Sequence, residues 1–186
     1  MQRCKWKNLD KSEIYQMYHD SEWGIESHEE RYLFEMLILE SFHCGLSWLI
    51  ILKKRGAFKK AFSQFDVNAV SKYDENDVQR LMQNTDIVRN KAKILATIEN
   101  AKSFIKIQKE FGSFDSYIWS FTNGEVVFSN TDELIARNEL SDMVAKDLKK
   151  RGFKFMGSVT TYSYLEAIGV MNNHASFCFK SAHTAR

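Results

Sequence analysis

With 186 residues, 44% of them hydrophobic, the chain holds enough apolar material for one well-buried domain, with room for two lobes around a cleft. A net charge of +2 excludes a nucleic-acid footprint spread over the whole surface, so any such contact must come from local clusters of lysine and arginine. Three cysteines exclude a closed disulfide framework, and with no apolar leader or bilayer-length run the expectation is a cytoplasmic, reduced protein with no membrane partner.

The first two dozen residues are aromatic beyond what a core requires: Trp6, Tyr15, Tyr18 and Trp23. Tyr18-His19-Asp20-Ser21-Glu22-Trp23-Gly24 has poor helical periodicity, and loops this rich in rings either line a site or lid a core. Helical periodicity then begins after Ser27, with Glu30 three residues on at capping-box spacing. The apolar run Tyr32–Ile38 continues into Leu39-Glu40-Ser41-Phe42-His43-Cys44-Gly45-Leu46-Ser47-Trp48. Glu40 therefore ends a helix whose other neighbours belong in a core, where an ionised carboxylate is costly unless paired. Gly45 permits a sharp reversal, and Trp48 arrives eight residues after the acid. Carboxyl and indole can thus face one another across a pocket, a pairing that suits a flat, cationic ligand.

A second apolar run, Trp48–Leu52, leads into the basic cluster Lys53-Lys54-Arg55 with Lys59-Lys60. Helix starts follow at Asp66 and at Asp74 with Asp77. The patterns Asp77–Gln83 and Ile87–Ile94 meet at the turn Asn84-Thr85-Asp86. A tight helix-hairpin-helix of this kind turns free N–H groups outward as an anion site for a DNA phosphate, with Arg89, Lys91 and Lys93 nearby. An ordinary antiparallel helix pair has the same pattern. The turn lacks glycine, and Asn84 and Asp86 are its best candidates for left-handed backbone.

Ser113 opens a further helix in which Asp115 complements the macrodipole. Glu125–Phe128, after Asn123-Gly124, is the one strand-like run; with nothing to pair with, it is read as irregular. Helix starts at Ser141 and Ser158 flank Lys149-Lys150-Arg151 with Lys154. Finally, His174 and Cys178 are four apart, on one face if helical, and Cys4 with His19 supply two more candidate metal ligands from the opposite end. Two cysteines and two histidines would close a tetrahedral zinc. The periodicity throughout reads as all-α, and residues 1–186 as one domain.

Taken in order, Cys4-Lys5-Trp6, Tyr18-His19-Asp20-Ser21-Glu22-Trp23-Gly24, Leu39-Glu40 with Gly45-Leu46-Ser47-Trp48, Lys53-Lys54-Arg55 and Lys149-Lys150-Arg151-Gly152-Phe153-Lys154-Phe155-Met156-Gly157 resemble the 3-methyladenine DNA glycosylase I family. This is the zinc-containing branch of the helix-hairpin-helix DNA glycosylases, and the similarity runs from Cys4 to Cys178. The resemblance implies an all-α fold with a helix-hairpin-helix lobe over roughly 31–115 and a zinc lobe from 1–30 plus 116–186. It implies a structural zinc on Cys4, His19, His174 and Cys178 that joins the two terminal segments. It further implies a monomer that acts on double-stranded DNA and excises N3-methyladenine by hydrolysis of the N-glycosidic bond, flipping the base out of the stack in base excision repair.

On that resemblance Glu40 and Tyr18 are the catalytic pair, and Trp48, Trp6, Tyr15 and Trp23 bind the base. Leu46 fills the gap left in the duplex, with Gly45, His43, Arg89 and Lys91 on the DNA. Many related glycosylases carry an aspartate past the hairpin; this family lacks it, which leaves Asp115 as an alternative only, and no lysine nucleophile or strand cleavage is expected. Where the family commonly has glutamine and alanine before Gly-Leu-Ser-Trp, this chain has His43 and Cys44, and residues 126–140 match it poorly. Two other readings stand beside it: a non-catalytic alkylation-damage DNA-binding module of the same fold, and a zinc hydrolase, which would need an open coordination position.

Overall fold

A computed structural model describes residues 2–129 and 131–181. Among them nine helices carry the fold: α1 (Glu13–Ser21), α2 (Glu30–His43), α3 (Trp48–Ala61), α4 (Val67–Val70), α5 (Glu75–Gln83), α6 (Lys91–Phe111), α7 (Phe114–Ser120), α8 (Glu139–Lys150) and α9 (Ser158–Ala167). The expected all-α class holds with one correction. Val127–Phe128 (β1) pairs in parallel with Met171–Asn172 (β2), with Val127 N–H donating to the Val170 carbonyl at 2.9 Å. The segment read as irregular has a partner after all, too far along the chain for any local pattern to show.

Helix α2 is the central element. Every residue from Leu33 to Phe42 is buried, and the helix packs against α3, α6, α7 and α9. A helix enclosed on all sides is apolar all round, which is why its sequence is a run and not a stripe. Two carboxylates lie within that run. Glu35 is compensated, since Arg55 donates to it through Nε at 2.6 Å and to Glu22 through Nη1 at 2.6 Å. Among the described residues Glu40 has no such cation.

Caps set most helix starts. Asp66, Asp74 (in a capping box with Asp77) and Ser113 are N-caps as expected. Helix α2 is capped instead by Glu29, whose carboxylate accepts from the amides of Arg31 and Tyr32, while the Ser27 amide donates to the Ile168 carbonyl. Helix α8 is capped by Asn138, with Ser141 as the second half of the box, and Ser158 is the first residue of α9 after Gly157.

The hairpin is longer than its pattern suggests. Helix α6 starts at Lys91 under an Asn90 cap, so Ile87 to Asn90 belong to the turn, and Ile87 is buried there. Asn84 is extended, with φ −77° and ψ 106°, and neither it nor Asp86 is left-handed. The turn is tethered from α3 instead: Lys54 Nζ donates to the carbonyls of Thr85 at 3.3 Å and Asp86 at 2.9 Å.

One close approach places the N-terminal stretch against α9. The Gly24 amide donates to the Glu166 carbonyl at 2.9 Å. At Gly169, where φ is +77°, a Cβ would lie 2.2 Å from the Ile25 backbone, so only glycine fits. No helix among the described residues is long and apolar enough to cross a membrane.

Candidate functional site

A cavity of about 470 Å³ opens where α1, the end of α2, the start of α3 and α9 meet. It is lined by Trp6, Tyr15, Tyr18 and Trp23 from the N-terminal stretch, Glu40 and His43 from α2, and Trp48 from α3. The fold therefore brings together the acid, the indole and all four early rings. The rings brace one another: Trp6 meets Trp23 edge-on at 4.5 Å between centroids and Tyr15 at 5.3 Å, while Tyr18 and Trp48 lie 5.4 Å apart. Such contacts between rings of different segments fix a wall that no single helix could present.

Glu40 is 3% exposed. Burial pushes its pKa above the ordinary carboxylate value, opposed by a hydrogen bond from His43 Nδ1 to Oε2 at 3.0 Å. Tyr18 is raised well above an ordinary phenol, first by burial and then by the charge of Glu40, so it remains a hydroxyl donor. Trp48 Nε1 is the one buried side-chain polar atom without a hydrogen-bond partner among the described residues. An indole N–H in that condition is costly in a core and useful in a site.

The rim is built from Cys44 to Ser47. Gly45 takes φ +80° in open space, Leu46 is 37% exposed, and neither lines the cavity. Of the hairpin cations, Arg89 is exposed, and so is Lys91, which pairs with Glu75 at 3.4 Å. Lys93, expected beside them, is buried: its Nζ donates to the carbonyls of Phe42 at 2.8 Å and Cys44 at 2.7 Å, so it clamps the end of α2 and is not on the surface. The other basic clusters are partly structural as well. Arg55 holds Glu35 and Glu22, and Arg151 pairs with Asp147 at 2.6 Å and Glu110 at 2.7 Å. Asp115 lies outside the cavity and accepts from His28 Nδ1 at 2.7 Å.

Among the lining residues that escaped the sequence reading are Tyr162, Glu166 and Asn173. Asn173 Nδ2 donates to Glu166 Oε1 at 2.8 Å and to the Tyr162 hydroxyl at 2.7 Å. Burial raises Glu166 to about 8, against the Asn173 bond and with a further push from Glu40. The signal was present as a tyrosine and an acid one turn apart in α9, where Glu166 is the single charged residue. Residues Thr131 to Ile135 close the far side, where Asp132 accepts from the amide and hydroxyl of Ser176 at 2.7 Å each.

Behind the aromatic wall lies the second constellation. The ligand atoms of Cys4, His19, His174 and Cys178 all fall within 4.8 Å of one another, and all four residues are buried. Cys4 Sγ is 3.6 Å from His174 Nδ1, and Cys178 Sγ is 3.6 Å from His19 Nε2 and 3.5 Å from His174 Nδ1. A tetrahedral cation held at about 2.0–2.3 Å by nitrogen and sulfur sets its ligand atoms about 3.3–3.8 Å apart, so these four can hold a metal ion.

The outer contacts agree. His19 uses its other nitrogen on Asp20 at 2.8 Å, Arg3 holds that carboxylate at 2.7 Å, and His174 Nε2 donates to the Trp23 carbonyl at 3.1 Å. Burial lowers His174 to about 4, assisted by His19, and likewise lowers His19, so both rings stay neutral as ligands must. Burial also raises the Cys4 thiol to about 12, against a bond from the Ala175 amide; a cation between the ligands is what would favour its thiolate.

Comparison with known proteins agrees with this picture along nearly the whole chain. The model of a family described as methyladenine glycosylase matches residues 6–181. DNA-3-methyladenine glycosylase 1 of Escherichia coli (strain K12) is 40% identical over 181 residues, covering 96% of this chain and 96% of that protein. A crystal structure of 3-methyladenine DNA glycosylase I superposes with a TM-score of 0.92 at 40% identity, covering 97% of this chain and all of that one. A tyrosine-to-phenylalanine variant of such a glycosylase, in complex with 3-methyladenine, superposes with a TM-score of 0.87 at 37% identity over 90% of this chain and 92% of that one.

Proposed function

The chain belongs to the methyladenine glycosylase family, and on that premise we propose that its cavity receives N3-methyladenine flipped out of alkylated double-stranded DNA. The protein is a DNA-3-methyladenine glycosylase: it hydrolyses the N-glycosidic bond of the damaged nucleotide. The observation that carries the assignment of the slot is the convergence of Glu40, Tyr18, Trp48, Trp6, Tyr15 and Trp23 on one cavity, from three separate stretches of chain.

Methylation at N3 places a positive charge on the purine. When the C1′–N9 bond breaks, its electron pair leaves with the base, which departs neutral; water supplies the oxygen that bonds to C1′ and loses a proton to solvent. Little acid catalysis is required, and the work falls on recognition. Trp48 offers a ring face that favours a cation, and Glu40 accepts from the amino group of the base. Tyr18 adds a hydroxyl donor, and Trp6, Tyr15 and Trp23 complete the wall. Neutral adenine gains less from the carboxylate and from the ring face. Leu46, exposed on a loop that Gly45 frees to bend, enters the gap in the duplex. The amides at the start of α6, with Arg89 and Lys91, take a phosphate as the protein binds as a monomer.

The four buried ligands hold a zinc ion in this reading, in a lobe of residues 1–30 plus 116–186 beside a helix-hairpin-helix lobe of about 31–115. Bound there, zinc supplies cross-linking of the chain ends and no activated water, since two cysteines and two histidines fill a tetrahedron. That donor set argues against a zinc hydrolase.

Chromatography of bases freed from methylated duplex DNA tests the proposal. Release of 3-methyladenine by the purified protein is expected. Tight binding of the alkylated duplex without release would leave the non-catalytic binding module, and neither binding nor release would overturn the assignment.

A further inference from the structure

We infer that His43 is a positioning residue for Glu40: its imidazole orients the buried carboxylate toward the base. The inference deepens the reading of the slot given above and rests on it.

Glu40 is 3% exposed, and among the described residues the hydrogen-bond partner of its carboxylate is His43, through Nδ1 to Oε2 at 3.0 Å. Among the described residues no Arg or Lys pairs with it, in contrast to Glu35 one turn and more earlier. Oε1 has no hydrogen-bond partner among the described residues and is not sealed off, so it remains for a ligand. The bond holds the carboxylate by one oxygen and presents the other.

His43 is itself held. It ends α2, the Leu46 amide donates to its carbonyl at 2.8 Å, and Lys93 clamps the carbonyls on either side, at Phe42 (2.8 Å) and Cys44 (2.7 Å). A ring on backbone pinned at three consecutive carbonyls has little freedom beyond its own rotamers. Its centroid lies 5.3 Å from that of Trp48, and its side chain is 31% exposed, so it borders both the slot and solvent.

The carboxylate requires the proton of the shared bond on Nδ1 of His43, and the pair presents its negative charge to the base through the second carboxylate oxygen.

The test measures kcat and KM for 3-methyladenine release from methylated duplex DNA. It is run on the wild type, His43→Ala and His43→Gln, with thermal melting as the check on folding. Binding of free 3-methyladenine, followed by tryptophan fluorescence, is measured in parallel. His43→Ala is expected to weaken base binding about tenfold. His43→Gln, which still offers an N–H to Glu40, is expected to recover most of the affinity. Base affinity in His43→Ala equal to wild type, or no recovery in His43→Gln, overturns the inference. A wild type that binds the free base through His43 yet releases none from DNA would fail the enzymatic reading while sustaining the dyad.

Discussion

The metal centre and the base slot share a wall, since Cys4, Trp6 and Trp23 border both, yet they treat buried polar atoms in opposite ways. Around three of the metal ligands an outer contact is made: Asp20 on His19, itself held by Arg3, the Trp23 carbonyl on His174, and the Ala175 amide on Cys4. In the slot, among the described residues, the Glu40 carboxylate has one partner and Trp48 Nε1 has none. An unsatisfied buried donor costs about 1–3 kcal/mol, so the second region holds unspent bonding capacity where the first holds almost none. Saturated polar clusters fix a structure, and unsaturated ones wait for something to bind.

The most forceful way to break this contrast is to open the saturated side. Cys178→Ser removes one of four ligands, and because metal affinity in such sites is folding free energy, stability is expected to fall by about 5 kcal/mol. For a chain of this length that is a drop of roughly 10–20 °C in Tm, read by calorimetry alongside zinc content. Equal melting and equal zinc would show that the cluster is not a clip. On the unsaturated side the loss is of function. Glu40→Ala should cut base release by about 10²- to 10³-fold, some 3–4 kcal/mol of barrier, with Tm unchanged or higher because a costly buried acid has gone. If instead Glu40→Ala unfolds the protein, the carboxylate is structural and the two regions do not differ as described.

The same contrast explains what could be read from the sequence. Helix class and caps at Asp66, Asp74 and Ser113 are local, and local spacing sufficed for them. Glu40 was legible because an acid inside an apolar run is an anomaly at any resolution. The role of Lys93 was not, because a lysine at a helix start reads as a phosphate contact unless one knows that two carbonyls of another helix lie within reach. Pairing of β1 with β2 and the arrival of Glu166 in the cavity depend on contacts across the chain, which periodicity cannot register. The metal set was visible by residue type, while its 3.5–3.6 Å geometry belongs to the fold alone.

Glu166 sharpens the comparison at the next level of effect. Its carboxyl is raised by burial from 4.5 to about 8, so between those values the unfolded chain ionises while the folded one keeps its proton. The folded state binds more protons there, and stability falls as pH rises through that window and levels off above it. Glu166→Gln keeps an acceptor for Asn173 and removes the titration. The variant should match wild type near the lower bound and exceed it by about 4 kcal/mol near the upper one, as urea melts at both pH values would show. Parallel loss of stability in both proteins would place the cost elsewhere.

The smallest effects belong to the hairpin, where exposed charges work in water. Arg89 and Lys91 each contribute a phosphate contact in the reading above, and removing either should lower the dependence of binding on salt by about one unit of slope, uniformly across sequences. The two need not be equal. Lys91 rests against Glu75 at 3.4 Å, both groups more than half exposed, and must turn from that carboxylate to reach DNA. Surface pairs of this kind are worth about 0–1 kcal/mol, so Glu75→Gln should strengthen binding of undamaged duplex by a factor of about two to five at low salt. The gain should vanish in a Lys91→Ala background, because the carboxylate then has no cation to hold back. A gain of the same size in both backgrounds would mean that Glu75 repels the phosphates directly, and Lys91 would lose its place on the DNA-facing surface.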